Sequence, residues 1–239
     1  MSHNYLVQIA YNGDAFLGFQ KCQEGPSIEG SLIQALSKII NHPVEIQATS
    51  RTDKGVHAED QYFNFYSDLQ LESKKFCNEM NSSLPGSIHV KSIQKRPLEF
   101  HPTLDCIKKR YRYQFSYKDH PYHTMIPHTI NLESMQQASS ALVGTHSFFA
   151  FCCRRSKYIN FTRTITFAST TKIGSAIFFH IEGDQFMNKM VRMLASAIAL
   201  VGTQAISLEE LKELLNSQKT NRYIQPLAAN ALFLEKIFY

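Results

Sequence analysis

The sequence predicts an α+β fold with two similar halves, each built on a mixed, largely antiparallel sheet flanked by helices. Strand-like runs and amphipathic segments follow the order strand–helix–strand–strand–helix–strand, and a similar alternation comes after it. Prolines interrupt this pattern near residues 96–105, where we expect the two halves to join. The expected domains are therefore 1–100 and 101–239. Two halves that meet along their sheets leave a central cleft lined by loops, and we expect it to be the active-site cleft.

Individual elements are predicted from periodicity and capping residues. Eight segments have the alternation or the aromatic and β-branched content of strands, namely 5–11, 44–48, 61–66, 88–95, 110–117, 162–172, 176–182 and 232–239. Five segments carry apolar residues at helical spacing, namely 28–39, 71–82, 132–142, 186–201 and 208–215. Four of these helices follow a residue that can cap the first turn, in order Ser27, Asn131, Asp184 and Ser207.

Bulk composition describes an ordinary globular protein of 239 residues, with 44% hydrophobic and 19% charged residues. No apolar run approaches the roughly 20 residues of a membrane span, and the polar start is unlike a signal peptide. We therefore expect a cytoplasmic enzyme. The five cysteines form no C-x-x-C pair, which argues against a disulfide framework or a zinc site. His120 and His123 lie in a proline-containing loop, so no metal site is expected.

Cations and aromatics are interleaved in two segments, 108–113 and 154–158. This pattern is typical of surfaces that bind a nucleic-acid backbone and stack on bases. The candidate backbone-binding residues are Lys108, Lys109, Arg110, Arg154 and Arg155. A solvated strand edge decorated with Lys and Arg has the same pattern. The net charge of +5 is compatible with a nucleic-acid partner but does not require one.

Residues 51–58, which read R-T-D-K-G-V-H-A, place a carboxylate beside an arginine on a glycine-containing turn between two strand-like runs. Loops carried by a rigid sheet often hold catalytic groups. A carboxylate beside a guanidinium stays ionised and oriented, as a nucleophile or base requires. The alternative is that Asp53, Lys54 and Gly55 form only a turn. His57 is interpreted as a turn residue rather than a catalytic one.

Six further blocks accompany this one in sequence order: YNGDAFLGFQ at 11–20, SIEGSLIQAL at 27–36, FHPTLDCIKKRYRY at 100–113, GTHSF at 144–148, FMNKMVR at 186–192 and LFL at 232–234. Together the seven blocks extend over nearly the whole chain. They resemble the TruA-type tRNA pseudouridine synthases, whose active-site motif is R-T-D-x-G-V-H-A. The resemblance implies the pseudouridine synthase fold. It also implies the isomerisation of uridine to pseudouridine in the anticodon stem-loop of tRNA, at positions 38, 39 and 40 in family members.

The resemblance also implies roles for individual residues. Asp53 corresponds to the catalytic nucleophile or base, in the N-terminal half. Tyr111 corresponds to the residue that stacks on the flipped base, and Arg192 to the arginine that pairs with Asp53; both lie in the C-terminal half. Arg51 is expected to displace the base or hold a phosphate, and Leu232 to form part of the apolar wall behind the base. A homodimer that grips one tRNA across both subunits, without a cofactor, is implied in the same way.

Other interpretations stay open at this stage. Tyr111 in an alternating strand is by default a half-buried sheet aromatic. Arg192, midway along an apolar helix, must be paired, because burying an unpaired charge costs several kcal/mol. The main alternative function is a non-catalytic RNA-binding protein on the same scaffold, which would keep the basic–aromatic segments but not need a buried pair of Asp53 and Arg192. An Asp-dependent hydrolase leaves those segments unexplained.

Overall fold

A computed structural model describes residues 2–153 and 155–239 of the chain. The chain divides into two compact units, Met1–Ile107 together with Leu234–Tyr239, and Lys108–Phe233. Each unit has a largely antiparallel sheet with helices against it, which confirms the predicted α+β class with mixed, mostly antiparallel sheets. The first unit runs a little past the proline-containing stretch at 96–105. It also includes the C-terminal segment Leu234–Tyr239, which the sequence pattern does not predict.

The described residues form ten strands and five α-helices. The strands are β1 (His3–Tyr11), β2 (Gln47–Ala48), β3 (His57–Ser67), β4 (Ile88–Arg96), β5 (Lys108–Ser116), β6 (Thr124–Met125), β7 (Gly144–Ser147), β8 (Thr162–Ile173), β9 (Ala176–Gly183) and β10 (Leu232–Phe238). The helices are α1 (Ile28–Ile40), α2 (Ser73–Ser83), α3 (Leu132–Ala141), α4 (Met190–Gly202) and α5 (Leu208–Leu214). None of these helices is long and apolar enough to cross a membrane.

The first unit carries its strands in the order β4-β1-β3-β10, with the short β2 paired to β3. Strand β1 is antiparallel to both neighbours, so that Val7 lies opposite Phe63 on one side and Ile93 on the other. In the second unit the order is β5-β9-β8-β7, and β6 pairs with β5 in parallel. Tyr111 lies opposite Ile181 in the antiparallel pair of β5 and β9.

Local sequence signals account for most helix starts. Ser27 accepts a hydrogen bond from the Gly30 N–H at 3.2 Å and begins α1, as predicted. Asn131 caps α3 in the same way through the Ser134 N–H, and Ser207 caps α5 through the Glu210 N–H. In each case a side-chain oxygen pairs an N–H that has no partner within its own helix. These three caps are confirmed.

The prediction for the fourth helix was wrong at its start. It places a helix over 186–201 behind Asp184, whereas α4 begins at Met190 after Lys189, whose φ is 59°. The Asp184 carboxylate instead accepts from the Gln185 N–H at 2.6 Å and from the Thr164 N–H at 3.3 Å. The side chain expected to cap the helix therefore binds the backbone of strand β8 instead. Residues 186–189 lie outside the helix. Phe186 is therefore not helical, and its ring contacts that of Tyr111 on strand β5.

Very short strands also escaped the sequence pattern. Strands β6 and β7 were not predicted, and β2 begins at Gln47 instead of residue 44. Alternation over the two residues of β2 or β6 is too brief to be recognised, and the four residues of β7 are the shortest run that gives a strand signal. These segments become strands because they pair with a longer strand, and their local sequence does not predict it.

A buried polar contact ties the end of the chain to the first unit. Asp60 on β3 is 8% exposed and accepts from the Gln8 side chain at 2.7 Å and from the Ile237 N–H at 3.0 Å. Ser92 donates to the other end of Gln8 at 3.0 Å. Around this network the core is aromatic, with Phe65 stacked between Tyr5 and Phe76. Strand β10 is therefore held by a carboxylate as well as by sheet pairing.

The cap of α1 yields a stability prediction. Ser27→Ala removes the partner of the Gly30 N–H, and we expect it to lower the free energy of unfolding by about 1 kcal/mol. Gln34→Ala at an exposed position of the same helix is the matched control and should change it by less than about 0.5 kcal/mol. Chemical unfolding measures both, and equal losses in the two variants would contradict the capping role.

Candidate active site

Asp53 lies at a half-exposed turn between β2 and β3. The Val56 N–H donates to the Asp53 carbonyl oxygen at 3.2 Å, and Gly55 takes the left-handed φ of 78° that this turn requires. The simple turn interpretation is thus correct for the backbone, but it does not exclude a chemical role. A tight turn ahead of β3 places Asp53 at a half-exposed position on a well-defined backbone.

The loop between β1 and α1 supports this turn through backbone contacts. The Phe19 N–H donates to the Thr52 carbonyl at 3.0 Å, and the Tyr11 and Thr52 hydroxyls are 2.8 Å apart. Gly18, with φ 117°, approaches so closely that a Cβ there would lie 3.1 Å from the Thr52 oxygen. Phe19, which is 1% exposed, anchors the loop in the core of the first unit. The backbone of Thr52, next to Asp53, is therefore held in place by this loop.

Gly13 makes the closest approach between the two loops. A Cβ at this position would overlap the Val56 carbonyl, lying 2.8 Å from its carbon atom. The Gly13 N–H donates to Nδ1 of His57 at 3.1 Å, and His57 itself is only 3% exposed. Sequence reasoning treated His57 as a turn residue and gave Gly13 no role of its own. Their positions in matching blocks of the sequence were the only available signal, because the contact spans 44 residues.

In the second unit, Tyr111 points into a mostly closed environment. It is 7% exposed, and its ring meets that of Phe186 edge to face with centroids 5.1 Å apart. Phe186 belongs to the non-helical stretch before α4. Leu232, the first residue of β10, is 6% exposed. Both predicted base-contact positions are therefore close to the apolar interior rather than on an open strand edge.

Arg192 lies in the first turn of α4 and is half-buried. Its Nε donates to the Leu227 carbonyl at 2.6 Å, and the Leu227 N–H approaches the Arg192 carbonyl at 3.5 Å. These contacts restrict the direction of the guanidinium, which carries further N–H donors on its terminal nitrogens. Its pairing with Asp53 stays a prediction.

The cations ahead of Tyr111 surround a buried carboxylate. Glu182 on β9 has a side chain that is 4% exposed, and it binds Nζ of Lys108 at 2.5 Å and Nε of Arg110 at 2.6 Å. Burial raises the pKa of Glu182, but hydrogen bonds from Lys108 and Arg110 and their positive charges outweigh burial and hold that pKa below its usual range. Two positive charges face one negative charge, so the group stays cationic. Lys109 points the other way and is about 9% exposed.

The remaining predicted cations differ in setting. Arg155 donates from Nε to the Phe149 carbonyl at 2.9 Å and lies over the Phe149 ring, 5.1 Å from its centroid. Arg51 is exposed on the turn beside Asp53. Arg154 lies outside the described residues. None of these placements tests RNA binding, which stays a prediction.

The comparisons with known proteins agree with the motif analysis. A family model described as tRNA pseudouridine synthase matches residues 8–105 and 138–239. The chain is similar to tRNA pseudouridine synthase A 2 of Protochlamydia amoebophila (strain UWE25), with 35% identity over 99% of this chain and 94% of the relative. It is also similar to tRNA pseudouridine synthase A of Staphylococcus aureus (strain MSSA476), with 33% identity over 98% and 90%.

A solved Cbf5-Nop10-Gar1 complex is a distant structural neighbour. It matches 82% of this chain and 44% of the neighbour's chain at 13% identity, with a TM-score of 0.39. A likeness of this size carries no argument about function.

The contact at Gly13 yields a prediction with a matched control. Gly13→Ala forces the two loops apart because the new methyl group meets the backbone of Val56, and we expect a clear loss of unfolding free energy, about 1–3 kcal/mol. Gly86→Ala has no atom within 4 Å of the new methyl group, and its effect should stay within about 1 kcal/mol in either direction. Thermal and chemical unfolding compare the two, and a neutral Gly13→Ala would refute the close contact.

Proposed function

Because this chain belongs to the tRNA pseudouridine synthase family, we propose that it isomerises uridine to pseudouridine in the anticodon stem-loop of tRNA, at positions 38, 39 and 40. The observation that carries this proposal is the placement of Asp53. It is the central residue of the R-T-D-x-G-V-H-A motif, and it lies half-exposed on a turn whose backbone is held by a second loop. A preorganised carboxylate of this kind suits a nucleophile or a base.

The reaction breaks the N1–C1′ bond of uridine, turns the base and forms a C5–C1′ bond. A proton leaves C5 and a proton is gained at N1, so the product is an isomer of the substrate and no oxidation or reduction takes place. We assign the first step to Asp53, which either attacks the nucleotide or removes a proton from it. The detached base must stay in place while it turns, which requires a closed pocket.

We assign the holding of the base to residues of the second unit and to Arg51. A uridine in a stem must be extruded first, at a cost of a few kcal/mol that an aromatic platform offsets. Tyr111 is assigned as that platform from its position in the family motif, and its ring contacts that of Phe186 edge to face in a nearly closed environment. Leu232 supplies apolar surface, and Arg192 is proposed to pair with Asp53 through its terminal nitrogens.

We assign backbone binding to Lys108, Lys109, Arg110, Arg154 and Arg155. The cationic group around Glu182 supports a role for Lys108 and Arg110, because the shared carboxylate holds both cations at one place on the strand. The burial of Lys109 favours a smaller contribution from that residue. A homodimer gripping one tRNA, activity without a cofactor and a cytoplasmic location follow from the family resemblance and are part of the same proposal.

The enzyme proposal predicts the effect of removing one carboxylate. Asp53→Ala should reduce tritium release from C5-labelled uridine in a tRNA transcript to background, because no other group starts the reaction, while tRNA binding survives. Asp119→Ala removes an exposed carboxylate in a distant part of the sequence and should release tritium like the wild type. Binding without release by the wild type would instead favour a non-catalytic RNA-binding protein.

Salt dependence tests the backbone-binding residues. The tRNA affinity should fall steeply between about 50 and 200 mM salt, because each phosphate contact contributes a slope of about −0.7 to −0.9 in log affinity against log salt. Arg110→Ala should make the slope shallower by roughly one such contact. Lys75→Ala removes a cation that is 74% exposed on α2 and pairs with Glu79, and it should leave the slope unchanged. Filter binding across a salt series gives the slope for each of the three proteins, and identical slopes would exclude Arg110 as a contact.

A further inference from the structure

His57 is the first residue of β3 and lies four residues after Asp53. Its ring is nearly buried, and Nδ1 is 3.1 Å from the backbone nitrogen of Gly13. A backbone N–H can only donate, so Nδ1 must accept. This requires a neutral imidazole with its proton on Nε2. One tautomer of one protonation state is therefore compatible with the contact.

The other ring nitrogen faces the same loop. Nε2 lies 3.8 Å from Oδ1 of Asp14, whose side chain is 48% exposed. This distance is too long for a direct hydrogen bond, but a proton on Nε2 is attracted by the carboxylate. The ring of His57 thus faces two successive residues of the β1–α1 loop, a backbone donor at Gly13 and an acid at Asp14.

The loop that His57 binds is the loop that supports Asp53. Gly13 packs against the Val56 carbonyl, and the Val56 N–H closes the turn on the Asp53 carbonyl. Loss of the acceptor at His57 leaves a buried N–H unpaired at the tightest point of this contact, which is unfavourable. The loop must then shift toward another partner. Because the turn that carries Asp53 packs against this loop, we expect the turn to shift as well.

We propose that His57 is a positioning residue for Asp53, and that it acts only as the neutral ring that accepts from the Gly13 N–H. A protonated ring cannot accept at Nδ1 and is drawn to the Asp14 carboxylate instead. Protonation of His57 therefore replaces its hydrogen bond from Gly13 with an ion pair to Asp14. The turn that carries Asp53 then loses the support of the β1–α1 loop. This role rests on the proposed function of Asp53.

Charged groups lie near the ring on the β1–α1 loop, on β3 and on β4. Asp14 faces the ring from the β1–α1 loop. On the ring's own strand, Glu59 follows two residues later, and its carbonyl accepts from Lys91 of β4 at 2.5 Å. Because a protonated ring cannot accept from the Gly13 N–H, acid conditions should reduce turnover through His57.

Asn and Gln variants separate this role from simple packing. The amide oxygen of Asn lies where Nδ1 of His lies, so His57→Asn can still accept from Gly13 but cannot titrate. The amide of Gln reaches the position of Nε2 and leaves Gly13 without its acceptor. Both variants place a neutral amide in the same buried space, so the comparison controls for burying a polar group.

We expect His57→Gln to lower kcat by up to about a hundredfold with little change in KM, because a misplaced catalytic group costs this much. His57→Asn should keep kcat within a few-fold of wild type at neutral pH and lose less activity than wild type as the pH falls. Tritium release from a tRNA transcript measures all three proteins. Hydrogen exchange of the Gly13 amide should show protection in the wild type and in His57→Asn, and faster exchange in His57→Gln.

Equal kcat, equal pH profiles and equal Gly13 protection in the three proteins would overturn the positioning role while leaving the enzyme proposal intact. A His57→Asn variant as impaired as His57→Gln would overturn it as well, since the acceptor at Nδ1 would then not matter. No tritium release by the wild type would remove the proposed function and, with it, the role of His57. The amide-exchange readout tells these cases apart, because it reports the contact without requiring turnover.

Discussion

The position of Asp53 depends on close backbone contact between the loop after β1 and the turn before β3. Gly13 and Gly18 permit this contact because neither carries a side chain that would separate the two backbones. Phe19 anchors the supporting loop in the core, and its N–H holds the Thr52 carbonyl next to Asp53. A carboxylate on a freely moving turn would spend most of its time away from any reacting atom, so this contact supports the role proposed for Asp53.

Buried carboxylates organise the structure at two further places. Asp60 holds strand β10 through the Ile237 N–H and so joins the end of the chain to the first unit. Glu182 on β9 binds Lys108 and Arg110 of the neighbouring strand β5, in which Tyr111 directly follows Arg110. In both cases a charge is buried because donors compensate for it, as the cost of desolvation demands. Strand β5 therefore carries less net positive charge at its start than its sequence indicates.

His57 illustrates how a local pattern can hide a long-range contact. Its neighbours in sequence form a turn and the start of a strand, and both features are correct. Its ring nevertheless binds a residue 44 positions earlier, in the loop that contacts the turn at Asp53. The turn that carries Asp53 is thus placed by neighbours whose own sequence signals are weak.

Sequence periodicity and capping residues were sufficient for the α+β class, for the long strands and for the starts of α1, α3 and α5, because these features depend on contacts within a few residues. The motif around Asp53 and the blocks that accompany it were sufficient for the family. Tertiary structure alone decided the capture of Asp184 by the Thr164 N–H, the short strands β6 and β7, the burial of His57 and the return of β10 to the first unit. Each of these depends on a partner far away in sequence, and a donor or strand edge that only folding brings close leaves no periodic trace in the local pattern.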